Sequence, residues 1–473
     1  MHKLIKTFHR IAALAVAGAV LFAATAPLAS AQAPQQGAAA PQKKVKDQGE
    51  YDIFNQTLKD ASNPQQQIKD LDTWTQKYPD SDYKDDRLLY YLQAYNGANM
   101  PAKVLEVGSG LMARDLKSVF MKDPKGGPQQ VLQVLYLMTA NFAKLPSPSP
   151  TQVEEGTKAA QALKDYVGEY FTAANKPAGT SDADWTKTKD QVAGLSKAVL
   201  MSMAARPGAE AMAKYRTDKN TANCSTAEAA YQKALQDYPD SSAIAFGLGT
   251  AEICLYKVTP DKINVGLWHL ARAVAIDPTL GGTSPDPKPI EAYLNSTYTQ
   301  YHGPDDPGLK DLKDQAKASP NPPDGFKIKS QIEIAHDKEL EFEKSNPQLA
   351  LWMKIKGQLA DQNGDQYFDS QLKSADLPPL KGTVVGAEPA CHSKQLTLAL
   401  SDATHAEVTL KLDSPLTGKP ETGTEIQFKG VPSAFAKDPF MLTMDGEKAA
   451  LDGLKVTPCA AAPVRHTVPK KKK

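Results

Sequence analysis

The chain has 473 residues, with 55 basic and 54 acidic side chains and a formal charge of +1. That balance excludes a strongly basic nucleic-acid binder. Beyond the first thirty or so residues, no stretch is long and apolar enough to span a bilayer, so a mature membrane-spanning helix is excluded as well.

Residues 1–31 read as an export signal. Lys3, Lys6 and Arg10 form a basic start, Ile11 to Ala24 an apolar segment, and Ala29-Ser30-Ala31 the small residues of a cleavage site before Gln32. No cysteine adjoins that point to carry a lipid anchor. Cleavage removes three positive charges and no acids, which takes the net charge from +1 to −2. Setting aside the five cations of the C-terminal tail leaves a body at −7. The expected location is periplasmic or secreted, from a bacterium. Residues 32–47, rich in Ala, Gln, Pro and Lys, read as a disordered linker.

From 48 to 319 the chain reads as paired helices. Ile68, Leu71 and Trp74 share a helical spacing that ends at Pro79. Leu88, Tyr91, Leu92 and Tyr95 form the next apolar face, with Val104, Leu105, Leu111 and Met112 as its partner. Between Leu116 and Asn223 the pattern decays. Val131 to Ala143 and Val153 to Ala173 are helical around the breaker Leu145-Pro-Ser-Pro-Ser-Pro150, and no register is assigned there. The clearest segment is Ala227-Glu-Ala-Ala-Tyr231-Gln-Lys-Ala234-Leu-Gln-Asp-Tyr238-Pro239. Small residues there let helices approach, an aromatic fills the groove, and proline ends the helix. Tyr78-Pro79-Asp80-Ser81 recurs as Tyr238-Pro239-Asp240-Ser241, where Asp or Ser can cap the following helix. After the second copy come Ala245, Leu248 and Gly249, and a further unit with Ala273 five before Pro278.

These residues resemble the tetratricopeptide-repeat (TPR) superfamily, whose period is about 34 residues. The resemblance is strongest over Ala227 to Pro278 and extends to Ile68–Met112. Pro239 to Pro278 is five residues longer than one period, and Lys257-Val-Thr-Pro-Asp261 is the place for the excess. The resemblance implies an extended surface that binds peptides or partner domains on a face lined by first helices. Here that face would include Tyr91, Tyr95 and Asn96.

Residues 320–379 open at Pro320-Asn-Pro-Pro-Asp324 and read as a helical connector, with Leu349, Trp352, Ile355 and Leu359 along one helix. From 380 to 459 the period falls to two. Leu396, Leu398 and Leu400 alternate with other residues, as do Val408, Leu410 and Leu412, then Ile426 and Phe428, then Phe440, Leu442 and Met444. Thr383–Val385 and Leu454–Val456 add short strands. The expectation is a small antiparallel β-barrel that looks like an OB-fold. OB-folds often bind on strands two and three, whose outward positions would be Thr397, Ala399, Glu407, Thr409 and Lys411. No aromatic platform for bases is present among them, so nucleic acid is not expected. Residues 460–473 read as a disordered basic tail ending in Lys470 to Lys473, able to contact anionic envelope polymers.

Four cysteines in an exported chain suggest two disulfides. Of three connectivities, proximity in sequence favours Cys224 with Cys254 and Cys391 with Cys459. No catalytic, cofactor or metal constellation is expected. His269, His302, His336, His392, His405 and His466 lack metal-ligand spacing, and Gly108-Ser109-Gly110 reads as a helix-packing site. Asp361 to Asp369 has Gln366 and Leu372 where a calcium loop needs its sixth-place glycine and twelfth-place glutamate, and reads as an Asn-Gly turn. The fold expected is an all-α TPR-like solenoid followed by the barrel. The function expected is an exported, non-enzymatic scaffold for a protein or peptide partner in the cell envelope. The alternative is a cell-wall or glycan-binding module using the barrel.

Overall fold

The computed structural model describes residues 43–459. The export signal, most of the proposed linker and the lysine tail lie outside the described residues. The chain divides into two compact units between Ile328 and Lys329.

The first unit is helical. Its elements are α1 (Gln48–Lys59), α2 (Pro64–Lys77), α3 (Lys84–Gly97), α4 (Pro101–Met112), α5 (Leu116–Phe120), α6 (Gly127–Phe142) and α7 (Pro150–Tyr170). They continue with α8 (Asp182–Asp218), α9 (Ala222–Asp237), α10 (Ser242–Leu255), α11 (Lys262–Ile276), α12 (Lys288–His302) and α13 (Asp306–Ala318). From α1 to α4 and from α6 to α12, each helix packs on the next in the chain; the short α5 lies against α6, and α13 packs on α11. Local chemistry sets the ends. Proline opens α2, α4 and α7, where its missing N–H costs nothing. Ser149 and Gln152 close a reciprocal cap at the start of α7, so the Pro-Ser breaker is also a helix start. The repeated Tyr-Pro-Asp-Ser turns use their serines differently. Ser241 caps α10 by accepting from the Ile244 N–H, whereas Ser81 accepts from Tyr83 N–H, one residue before α3 begins. The loop between α10 and α11 falls where the five extra residues are expected.

Helix α8 runs for 37 residues and contains Pro207, a position that interrupts the backbone ladder. Next to it, Gly208 faces the ring of Tyr231 on α9, and Gly247 on α10 faces the same ring. Cys224, Ala227, Ala234, Ala245, Leu248 and Ala251 complete this crossing, all essentially without exposure. Gly249 plays a similar part between α10 and α11. A Cβ there would stand 2.8 Å from the Leu270 nitrogen and 2.9 Å from the Gly266 carbonyl oxygen.

The second unit begins with α14 (Gln331–Ser345), α15 (Pro347–Ala360) and the short α16 (Gly364–Tyr367). Its strands are β1 (Leu380–Glu388), β2 (Gln395–Ala399), β3 (Val408–Leu412), β4 (Lys419–Pro420), β5 (Glu425–Phe428), β6 (Val431–Lys437), β7 (Phe440–Gly446) and β8 (Val456–Thr457). Six of them form one sheet in the order β5-β1-β2-β3-β7-β6, and β4 pairs with β8 apart from it. The alternation in the sequence identifies the buried face: Leu396, Leu398, Val408, Leu410, Ile426, Phe428, Leu442 and Met444 are all within 1% of full burial. Two expectations are corrected. The sheet is mixed, because β3 and β7 run parallel, and it is not closed into a barrel. Alternation reports which way side chains point; strand neighbours are set by crossovers, and β7 reaches β3 only after the chain has passed through β5 and β6.

The helices of the expected connector share a core with this sheet. Trp352, Ile355 and Leu359 of α15, with Phe368, Leu372 and Leu377, pack in one cluster with Leu380, Val384 and Leu398. The boundary therefore lies ahead of α14, and the helices from α15 onward are part of the sheet's fold.

Candidate interaction surface and disulfide sites

The face assigned to Tyr91, Tyr95 and Asn96 lies on α3. Tyr91 is buried, and its hydroxyl donates to Asp72 Oδ1 at 2.7 Å on α2. Burial pushes its phenol well above the ordinary tyrosine range, and the Asp72 carboxylate adds to this. Its ring stacks on Tyr95 with centroids 5.6 Å apart. Tyr91 is thus a packing residue, because the α2–α3 contact closes over the position that periodicity alone leaves open. Tyr95 and Asn96 are half-buried. Asn96 Oδ1 accepts from Asn141 Nδ2 at 2.9 Å, which ties α3 to α6. The accessible part of the expected face is the remainder of Tyr95 and Asn96.

Buried charges hold the Tyr-Pro turns, at positions that periodicity does not mark. Arg87 donates to the Tyr78 carbonyl at 2.7 Å and the Trp74 carbonyl at 3.1 Å. Arg272 donates to the Pro239 carbonyl at 2.9 Å, and also to the carbonyls of Ala316 and Lys317 at 2.8 and 3.0 Å. Both guanidiniums are nearly inaccessible. Proline leaves carbonyls at the helix end without intrahelical partners, and a planar multi-donor group satisfies several at once. For Arg272 the sequence signal is an arginine on the largely apolar α11; Arg87 stands among other charges at the start of α3 and has none.

Buried carboxylates form a second set. Glu50 accepts from Trp74 Nε1 at 3.0 Å and from the Lys46 N–H at 2.6 Å. Burial pushes its carboxyl up, but hydrogen bonds from Ser81, Lys46 and Trp74 prevail and hold it below the usual range. Glu252 on α10 lies 2.7 Å from His269 Nδ1 on α11, both buried. Here burial prevails and raises the carboxyl. His269 accordingly sits inside the helical core, as expected of a structural histidine.

In the second unit, Glu407 stands where an outward position is expected and is instead 3% exposed, and Ala399 is buried as well. Glu407 accepts from Trp352 Nε1 at 3.0 Å, from the amides of Ser401 at 2.6 Å and Leu400 at 3.0 Å, and from Lys356. Helix α15 covers this end of β2 and β3, which leaves Thr397, Thr409 and Lys411 as the more accessible positions.

Both expected disulfides are present. Cys224 joins Cys254 across α9 and α10, with Cα atoms 6.2 Å apart. Cys391 joins Cys459 with Cα atoms 6.1 Å apart, fastening the turn after β1 to the segment after β8. Such bonds belong to an oxidising compartment. Among the described residues no cysteine is free, and no helix is long and apolar enough to cross a membrane.

The remaining candidates separate. His392 Nδ1 is 3.1 Å from the Leu416 carbonyl, while His405 pairs with Asp402, so the two histidines serve different loops. Gly108 lies against Met138, a close-packing site; Ser109 Oγ is buried and has no partner. Asn363 precedes α16 as the N-terminal flanking residue, and Gly364 sits against the Leu359 carbonyl with no room for a side chain. A shallow open hollow is lined by Asp182, Thr186, Lys187 and Asp190, all from one helix, and brings no groups together from different elements. Compared with known proteins, the chain matches no family model, and no curated protein is similar to it.

Proposed function

We propose that this protein is an exported, non-enzymatic scaffold of the bacterial cell envelope, whose TPR-like helical unit holds a protein or peptide partner. The observation that carries the reading is the crossing of α8, α9 and α10 at Gly208, Tyr231 and Gly247. Small residues facing an aromatic from the next helix are what a stack of helix pairs needs. Such a stack grows by adding neighbours and presents a long surface, with no enclosed pocket required. Tyr95 and Asn96 are the partner-facing residues of this surface. The two disulfides support residence outside the cytoplasm, and the lysine tail supplies a contact for anionic polymers.

The second unit supports an OB-like reading in one respect. Its outer strands β5 and β6 are joined by only Lys429-Gly430, so a single bent segment, 425–437, borders both ends of the sheet. OB-folds are partly open barrels of this kind.

The test is capture from an envelope extract with the full mature chain as bait, beside sedimentation with purified cell wall. The expected result is saturable capture of a discrete protein that Tyr95→Ala with Asn96→Ala abolishes and Thr409→Ala with Lys411→Ala does not. Sedimentation with wall that depends on Thr409 and Lys411, with no protein captured, overturns the scaffold reading in favour of a glycan-binding module.

A further inference from the structure

The disulfide between Cys391 and Cys459 has a third soft-metal ligand beside it. Both sulfurs and a ring nitrogen of His392 lie within 4.8 Å of one another. Cys459 lies 68 positions beyond Cys391, which is why ligand spacing does not reveal the group.

Backbone pairing brings the segments that carry these groups side by side. The His392 N–H donates to the Gly418 carbonyl at 3.2 Å, and the Leu416 N–H donates to the Ser393 carbonyl at 3.0 Å. Ser393 Oγ donates to the Pro389 carbonyl at 2.6 Å. These bonds pin the turn after β1 to the segment leading into β4. Strand β4 in turn pairs with β8, with Lys419 opposite Thr457. Cys459 follows two residues later. His392 has a φ of 55°, in the left-handed region, which is uncommon for residues other than glycine but which histidine enters more readily than most. Its Nδ1–H donates to the Leu416 carbonyl. That bond fixes the ring's orientation and tautomer and leaves Nε2 as the basic nitrogen, the arrangement in which histidines bind metals.

Access differs between the two disulfides. Cys391 and Cys459 are partly exposed and His392 is exposed, so a reductant and an ion can both reach them. In the other disulfide Cys224 is fully buried in the helical core and Cys254 is partly buried against it, and among the described residues no histidine joins that pair as a third metal ligand.

We propose that Cys391, His392 and Cys459 form a redox-gated binding site for a thiophilic cation, Zn2+ or Cu(I). In the oxidised protein the site is closed as a disulfide. A dithiol opens it by exchange: two electrons and two protons pass to the protein sulfurs, and the dithiol leaves as its own disulfide. Metal binding then displaces both thiol protons, so two thiolates and one imidazole hold the ion. Three ligands complete a low-coordinate Cu(I) site or leave one position of a tetrahedral Zn2+ site for water.

The experiment uses the mature chain, reduced with a dithiol and desalted without oxygen. Zn2+ and Cu(I) are titrated separately against chromophoric competitors. Expected are one ion per chain in the reduced protein, none in the oxidised protein, loss of the site in Cys391→Ser, and weakening by at least ~10-fold in His392→Ala, since even outer partners of metal ligands are worth that much. Ions held by the other cysteine pair persist in Cys391→Ser and are thereby told apart. Circular dichroism and thermal melts of the reduced chain follow the fold. The metal is expected to raise the melting temperature of reduced wild-type protein and not of Cys391→Ser. Equal affinity in His392→Ala, no binding by folded reduced protein, or loss of the sheet unit on reduction with no recovery on adding metal each overturns the proposal.

Discussion

Tyr231 is clamped between Gly208 and Gly247: a Cβ on the first would stand 2.7 Å from its ring, and on the second 2.5 Å. The ring is 2% exposed, so it has nowhere to move. One aromatic on α9 thus sets the approach of α8 and α10 together.

Replacing Gly247 by alanine is expected to destabilise the helical unit by about 1–3 kcal/mol, the usual cost of overpacking. Gly194 on α8 has open space around its Cα. Gly194→Ala is expected to stabilise by about 0.5–1 kcal/mol, because glycine carries only its entropic cost there. Thermal or urea melts of the two variants decide between them, and effects of the same sign would count against the clamp.

Arg272 offers a test of the Tyr-Pro turn. In Arg272→Met the Pro239, Ala316 and Lys317 carbonyls lose their donor, with an expected loss of about 3 kcal/mol or more. The ion pair with Asp240 contributes little, since that carboxylate is 88% exposed. Asp240→Asn is expected to cost less than about 1 kcal/mol. Equal losses in urea melts would show that the charge pair, and not the carbonyl clamp, matters.

Glu407 makes the second unit sensitive to acid. Burial raises its carboxyl, but Lys356 and the Ser401 and Leu400 amides outweigh this and hold it below the ordinary glutamate range. A carboxyl depressed in the folded state stabilises above its unfolded pKa, near 4.3, and loses that contribution as pH falls through the folded value. Glu407→Gln is expected to cost on the order of 2 kcal/mol at pH 7, with the gap to wild type closing below about pH 4. Trp352 fluorescence, followed through denaturant at several pH values in a background where the other tryptophans are replaced, reports it. A gap independent of pH would assign Glu407 a purely steric role.

The two disulfides are expected to differ in consequence. Removing Cys391–Cys459 opens a loop with a sequence separation of 68, and removing Cys224–Cys254 one of 30. Chain entropy alone gives about 4 and about 3.5 kcal/mol. The helical unit has a much larger apolar core to fall back on. The double serine variant at 391 and 459 is therefore expected to lose its sheet unit at a lower temperature than the other variant loses its helices. Calorimetry resolves the two transitions, and the reverse order would refute this.

The sequence by itself determined the elements and much of their inward faces. Pro79 and Pro239 mark the ends of α2 at Lys77 and α9 at Asp237, and period-two alternation picks out Leu396, Leu398, Val408 and Leu410 as core. Of three possible cysteine pairings it favoured the one present, because short separations make local closure cheaper. Only the tertiary structure decided which strands are neighbours, that α15 covers Glu407, and that Tyr91 faces α2. Periodicity is a property of one segment, whereas each of these depends on where a second segment lies. A buried glutamate such as Glu407 and a solvent-facing one are the same letter in the same register. The difference is supplied by Trp352 and Lys356, more than fifty residues away in the chain, whose donors make burial of that charge tolerable.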